Sequence, residues 1–284
     1  MDFAAEMERT LQVLDYAVLV VSGADGVQGH TRTLWRLLKH YQVPVFLFVN
    51  KMDLPGAERN VLMEELQREL SPQVVDCTDA MQWALAHMNE EQKGCSCDQN
   101  HEMRQNCTDG CNVENWQEKL WDIMGQQETF MENVAVCEDG LLECYMEKGM
   151  MPLARCQEAV GERKIVPCFF GAALRMDGVR EFWKGFRLLT RPQEYGTEFA
   201  ARVYKIGRDD KGARLTFLKV LGGNLAVRDK ICYGELTEKV DQIRLYSGSR
   251  FETSDVLHSG EVAAVTGLSG TFPGQGLGMM EQDN

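Results

Sequence analysis

Four residues, Asn50-Lys51-Met52-Asp53, close the apolar run Val45 to Val49. Their types allow one specific piece of chemistry. A carboxylate at Asp53 can accept from both the N1–H and the N2–H2 of a guanine edge, a pair of donors that adenine does not offer. Charge-assisted hydrogen bonds of this kind are the strong ones. Leaving a buried acceptor unpaired costs about 1–3 kcal/mol, so adenine is rejected. The Lys51 stem would lie over the base, and Asn50 would tie the loop to its neighbours. A second loop of small residues, Gly171-Ala172-Ala173, closes another apolar run, Ile165 to Phe170. Taken alone, Asn-Lys-x-Asp is a short pattern, and a helix-capping turn ahead of Leu54-Pro55 and Glu58 would use the same letters.

Both loops need a frame. Tyr16 to Ser22 is a continuous Val-rich run closed by Ser-Gly-Ala-Asp-Gly, the pattern of a strand buried on both faces. In His30 to Tyr41, Leu34, Leu37, Leu38 and Tyr41 share one helical face. Val43 to Val49 reads as a second buried strand. Glu58 to Leu70 reads as a helix with Val61, Leu62, Leu66 and Leu70 on its apolar side. Strand, helix, strand, helix predicts an α/β fold with a parallel sheet and crossover helices. Ligands of such sheets sit outside the carboxyl ends of the strands, and both loops fall there. Ile165 to Gly171 gives a third buried strand, followed by a helix over Val179 to Leu189.

The rest of the chain divides by texture. Phe3, Met7, Thr10, Leu11 and Leu14 recur at helical spacing. Between Ser71 and Gly161 the pattern loosens: Glu114 to Met124 and Gly140 to Met146 read as helices around an irregular insertion near residues 76–113. Arg191-Pro192-Gln193 marks a boundary. From Thr197 short segments alternate with turn signals, at Phe199 to Ile206, Leu215 to Val220, Lys230 to Tyr233, Lys239 to Tyr246 and Glu261 to Leu268. Such spacing predicts a small antiparallel β-barrel. The expected domains are residues 1–192 and 196–284.

Composition excludes several classes of function. The 284 residues carry a formal net charge of -13, so bulk charge does not hold the chain to nucleic acid. No apolar stretch approaches the roughly 20 residues of a membrane span, and the start has no signal-peptide pattern. A cytoplasmic protein is expected. Of the ten cysteines, Cys168 and Cys232 read as small buried hydrophobes. A disulfide framework is not expected. Cys95, Cys97, Cys107 and Cys111, with His101, fall within 17 positions and could make a tetrahedral zinc site. Their spacing differs from the tight Cys-x-x-Cys knuckles of zinc ribbons, and reduced cysteines on a loop are the preferred reading. His30, His40 and His87 read as surface or packed side chains, and Gly274 to Gly278 as a barrel-terminal loop.

Three stretches carry a family resemblance. They are Met1-Asp2-Phe3 with Val13 to Ala17 and Asp25-Gly26-Val27-Gln28; Val49-Asn50-Lys51-Met52-Asp53; and Cys168 to Ala173 with Gly178-Val179. They resemble the translational GTPases of the elongation factor G class, above all the ribosomal-protection proteins that confer tetracycline resistance. Arg214 to Phe217 through Val227 to Asp229 resembles that family's second, barrel domain. The resemblance implies guanine binding by Asn50, Lys51, Asp53, Gly171, Ala172 and Ala173, with GTP or GDP and magnesium in the intact family member. It also implies the ribosome as partner. The family commonly has Ser where this chain has Ala172, but the main-chain amide expected to make the contact survives that change.

The departure from the family is as plain. A phosphate loop needs Gly-x-x-x-x-Gly-Lys-Ser/Thr, and the sequence contains no Gly-Lys dipeptide. Asp53-Leu54-Pro55-Gly56 carries the letters of the Asp-x-x-Gly motif, but its Asp is committed to the base. No catalytic residue can be carried over. The expectation is an internal fragment of a larger GTPase, with no tight nucleotide binding or hydrolysis of its own and an exposed sheet edge that favours self-association. The alternative expectation is a non-catalytic ribosome-associated or regulatory module derived by truncation.

Overall fold

The computed structural model describes residues 8–92 and 116–279. Cys95, Cys97, His101, Cys107 and Cys111 lie outside the described residues, as do Met1, Asp2 and Phe3. Two compact units divide the chain. One is Tyr16–Arg191; the other joins the segment ending at Asp15 to the chain from Pro192 onward.

The first unit is built on a four-stranded parallel sheet of β1 (Ala17–Ser22), β2 (Val45–Asn50), β3 (Val74–Asp76) and β4 (Val166–Phe170), in the order β1-β2-β4-β3. Strand β2 lies between two neighbours, and Phe46, Leu47 and Val49 are fully buried. That explains its unbroken apolar run. Register pairs Ser22 with Asn50 and Val49 with Phe170, so β1, β2 and β4 end level. The helices α1 (Gly29–His40) and α2 (Arg59–Glu69) follow β1 and β2. Each buries a narrow stripe, Trp35 and Leu38 on α1, Leu62 and Leu66 on α2.

Two expectations need correction here. Strand β1 is not buried on both faces: Leu19 and Val21 are, but Val18 and Val20 stay 44% and 57% exposed. Among the described residues it lies at the sheet edge, and a Val-rich run hides the alternation because Val suits either face of a strand. Nor is the segment from residue 76 irregular throughout. After the short strand β3 comes α3 (Thr78–Gln92), with Ala80, Met81, Ala84 and Leu85 buried on one face. Asp76 starts it by accepting the Thr78 N–H at 2.9 Å. Then follow α4 (Trp116–Met124), α5 (Glu128–Ala135), α6 (Asp139–Lys148) and α7 (Leu153–Gly161), packed over one core with Phe46, Phe48 and Phe169 of the sheet. The last helix, α8 (Val179–Leu189), returns beside the sheet, its Phe182 ring 5.3 Å from Phe48 and 5.6 Å from Phe169.

The second unit is antiparallel. Its strands are β5 (Ala200–Arg208), β6 (Arg214–Gly222), β7 (Asn224–Ala226), β8 (Lys230–Tyr233), β9 (Leu236–Lys239), β10 (Gln242–Ser247), β11 (Arg250–Ser254), β12 (Val256–His258), β13 (Val262–Thr266) and β14 (Gly276–Gly278). Six form one sheet, β11-β10-β13-β6-β5-β14, and β12-β7 and β8-β9 form two ribbons. All close on a single core that includes Val203, Leu218, Leu225, Ile231 and Leu257. Asp209 makes the β5–β6 turn by accepting the N–H of Lys211 and of Ala213. Two further corrections fall in this unit. Cys232 is exposed, because β8 alternates and turns Ile231 and Tyr233 inward. Gly276–Gly278 is not loop but strand, paired with β5. Gly278 has φ +67°, and a Cβ there would stand 2.2 Å from the Phe199 carbonyl oxygen.

No helix among the described residues is long and apolar enough to cross a membrane.

Candidate functional site

The site is assembled at the level end of β2 and β4. Asn50 is the last residue of β2, and its Oδ1 accepts two backbone N–H groups, from Lys51 at 2.8 Å and from Ala173 at 2.9 Å. One side chain thus ties the loop after β2 to the loop after β4. A second tie runs the same way: the Met52 N–H donates to the Gly171 carbonyl at 3.1 Å. Lys51 is held at φ +66°, in the left-handed region that non-glycine residues rarely adopt. Strain of this kind costs on the order of 1 kcal/mol and persists where the surroundings fix it. Here the Asn50 side chain, bonded to the Lys51 N–H, does so.

The second loop is a closed ring. Ala172 N–H donates to the Asp177 carbonyl at 3.0 Å, and Asp177 N–H returns to the Ala172 carbonyl at 3.2 Å. Between them lies a single 3-10 turn, Ala173–Arg175. Only glycine fits at both ends of the ring. A Cβ on Gly171 would sit 2.3 Å from the Asp177 oxygen, and one on Gly178, at φ +73°, 2.5 Å from the Phe170 oxygen. The Ala172 amide, expected to face the base, is therefore spent on Asp177, and the Ala173 amide on Asn50.

Asp53 stands apart from α2, whose N-cap is Glu58. It does not make the capping turn that the same letters allow. Its Oδ2 lies 3.1 Å from Arg175 Nε, with the Asp53 side chain 21% exposed and that of Arg175 64% exposed. The loop thus brings Asn50, Lys51, Asp53, Gly171, Ala172 and Ala173 to one end of the sheet.

A supporting group escaped the sequence reading. Arg59 pairs with Asp76 at 2.6 Å and Asp79 at 2.7 Å and lies 5.3 Å from the centre of the Phe170 ring. Burial works against its charge, yet the two carboxylates overcome this and raise its pKa. Thr78 Oγ1 accepts the Phe170 N–H at 3.0 Å. These contacts brace the end of β4, where the glycine loop begins. The hydrogen bonds among them join residues 17 to 92 positions apart, and no local pattern signals them.

Beside the Asn50 loop is a cavity of about 390 Å³ lined by Gly23, Asp25, Gly26, Gly56, Glu58 and Glu65, among others. Glu65 accepts the Val27 N–H at 3.1 Å. The ionisable side chains in this lining are acidic, which repels phosphate rather than gathering it.

Comparison with known proteins matches residues 1–242 to the model of the elongation factor Tu GTP-binding domain. Tetracycline resistance protein TetP of Clostridium perfringens is 28% identical over 289 aligned residues, covering 98% of this chain and 40% of that protein. A crystal structure of a Thermus thermophilus protein superposes with a TM-score of 0.71 at 20% identity, over 98% of this chain and 42% of the other. The chain therefore spans about 40% of the length of these relatives.

Proposed function

The chain belongs to the family of the elongation factor Tu GTP-binding domain, and from that premise we propose that its Tyr16–Arg191 unit reads the guanine base of GTP or GDP. The observation that carries this reading is the double hydrogen bond to Asn50 Oδ1, which holds the Lys51–Asp53 loop against the Ala173 turn. On that frame Asp53 accepts from the guanine N1–H and N2–H2, and the Lys51 stem covers the base. Adenine presents no such donor pair.

For the phosphates and their magnesium the residues present do not fit. The sequence holds no Gly-Lys dipeptide, and the cavity next to the loop carries Asp25, Glu58 and Glu65. A phosphate needs backbone amides and cations. The 284 residues thus recognise the base without gripping the phosphates, and neither tight GTP binding nor GTP hydrolysis is expected of them.

The partner we propose is the ribosome, as the family resemblance implies, in a soluble, cytoplasmic setting; tetracycline resistance by ribosomal protection is the narrower form of the proposal. Co-sedimentation with purified ribosomes, with and without GDP, tests it. Nucleotide-dependent pelleting supports a translation-factor role. Pelleting that ignores nucleotide supports the second reading, a non-catalytic ribosome-associated module, which the acidic lining of the cavity beside the loop favours. A chain that stays in the supernatant in both cases refutes both.

Self-association is proposed through β1. Among the described residues it pairs only with β2, leaving its other edge and the side chains of Val18 and Val20 open. Open edges of this kind recruit further strands. Sedimentation equilibrium should show dimers that Val20→Lys weakens. A monomer at all concentrations would refute this.

A further inference from the structure

We infer that Arg175 is a built-in competitor for the base-reading carboxylate, so that guanine binds to Asp53 against the pull of its guanidinium on Oδ2. The inference rests on the guanine reading and adds its regulation. Arg175 Nε approaches Asp53 Oδ2 at 3.1 Å, so a guanidinium already stands against one of the two oxygens that the N1–H and N2–H2 of guanine require. The competition is local because the backbone beneath Arg175 cannot withdraw. Its N–H donates to the Ala172 carbonyl at 2.9 Å, and the reciprocal Ala172–Asp177 hydrogen bonds close the ring around it. Glycines at both ends admit no larger residue, and Asn50 pins the adjoining Ala173 N–H.

What can move is the side chain. Arg175 is 64% exposed and Asp53 only 21%, so the guanidinium can rotate into water while the carboxylate stays in place. Exposed pairs of this kind are weak, which sets the size of the effect. The block is a bias on affinity and selectivity, not a lock. The neighbouring Leu174 is 97% exposed and offers the displaced guanidinium no competing charge.

The test compares GDP with ADP, whose phosphates are identical, so that the ratio of their dissociation constants reports the base alone. Equilibrium binding is measured for the full chain, Arg175→Ala, Arg175→Lys and Asp53→Ala. Arg175→Ala should raise the preference for GDP over ADP by about 2- to 5-fold. Arg175→Lys, which keeps a point charge but loses the planar fork, should fall between. The gain should shrink in roughly 0.5 M salt, where the wild-type pair is screened. An unchanged or reduced preference in Arg175→Ala overturns the inference while leaving the guanine reading intact. If Asp53→Ala binds GDP over ADP as well as the wild type does, the guanine reading itself fails, and the inference with it.

Discussion

Asn50 Oδ1 lies 2.9 Å from the Ala173 N–H, a contact across 123 positions of sequence. The same oxygen takes the Lys51 N–H at 2.8 Å. Two loops that follow different strands are thereby set in one geometry. Asn50→Ala leaves two backbone donors without their acceptor and should cost about 1–3 kcal/mol. Asn50→Asp keeps the acceptor oxygen and should cost clearly less. Urea unfolding of the two variants checks the order; equal losses would mean that the neutral amide group, not the acceptor oxygen, is what the site needs.

Lys51 at φ +66° carries strain that the proposed base-reading role would keep for its geometry. Glycine adopts that conformation freely. Lys51→Gly should therefore fold with unchanged or slightly greater stability, by no more than about 1 kcal/mol, while guanine affinity falls. A Lys51→Gly variant that is clearly less stable in thermal denaturation would show that the lysine holds the loop rather than straining it.

The second unit offers a sharper electrostatic test. Lys219 is nearly fully buried, with Nζ 2.6 Å from Asp15 and 3.0 Å from the Val13 carbonyl. Tyr195 also donates to Asp15, at 3.4 Å. Removing the carboxylate leaves the buried cation with the Val13 carbonyl alone among these partners, and because the Asp15 side chain is 40% exposed, Asp15→Ala should cost about 1–3 kcal/mol. The double variant Asp15→Ala/Lys219→Met removes both charges and should recover much of that loss. If the double variant is the less stable, the pair is a net stabiliser and not a compensated burial.

Burial pushes the thiols of Cys137 and Cys156 up, to about 11 and about 12, and that of Cys77 higher still. A thiol whose folded pKa exceeds its unfolded value, roughly 8.5, stays protonated in the fold while the unfolded chain ionises. The stability it contributes is fully present below about pH 8.5. It is lost as pH rises through that value toward the folded pKa. The urea midpoint should fall between about pH 8 and pH 10. These three thiols should resist alkylation at about pH 8.5 until the chain unfolds, while the exposed Cys232 reacts at once. Equal rates at Cys232 and Cys156 would contradict the burial.

The sequence was legible where pattern is long or chemistry is local. Val45 to Val49 and Cys168 to Phe170 read as buried strands because both lie inside the sheet. The loop from Asn50 to Asp53 was visible because it follows directly on the end of β2. Strand β3 was not, since three residues make no periodic signal. Helix α3 hid behind a sparse apolar face, Ala80, Met81, Ala84 and Leu85, of which two are alanines. The exposure of Val18 and Val20 could not be read, because edge and centre strands use the same β-branched residues. The Arg175–Asp53 pair lay furthest from view. It joins a turn after β4 to a loop after β2, and nothing near either residue in the chain announces the other.

The central claim is that this chain reads guanine through Asp53. Its most direct test is equilibrium binding of GDP, ADP and XDP to the wild type and to Asp53→Asn, at identical ionic strength. The wild type should prefer GDP over ADP by about 5-fold or more. Asp53→Asn replaces one acceptor with a donor, which suits the C2 carbonyl of xanthine, so preference should pass from GDP to XDP. Wild-type affinities that are equal for GDP and ADP, with no change of rank in Asp53→Asn, would contradict the account.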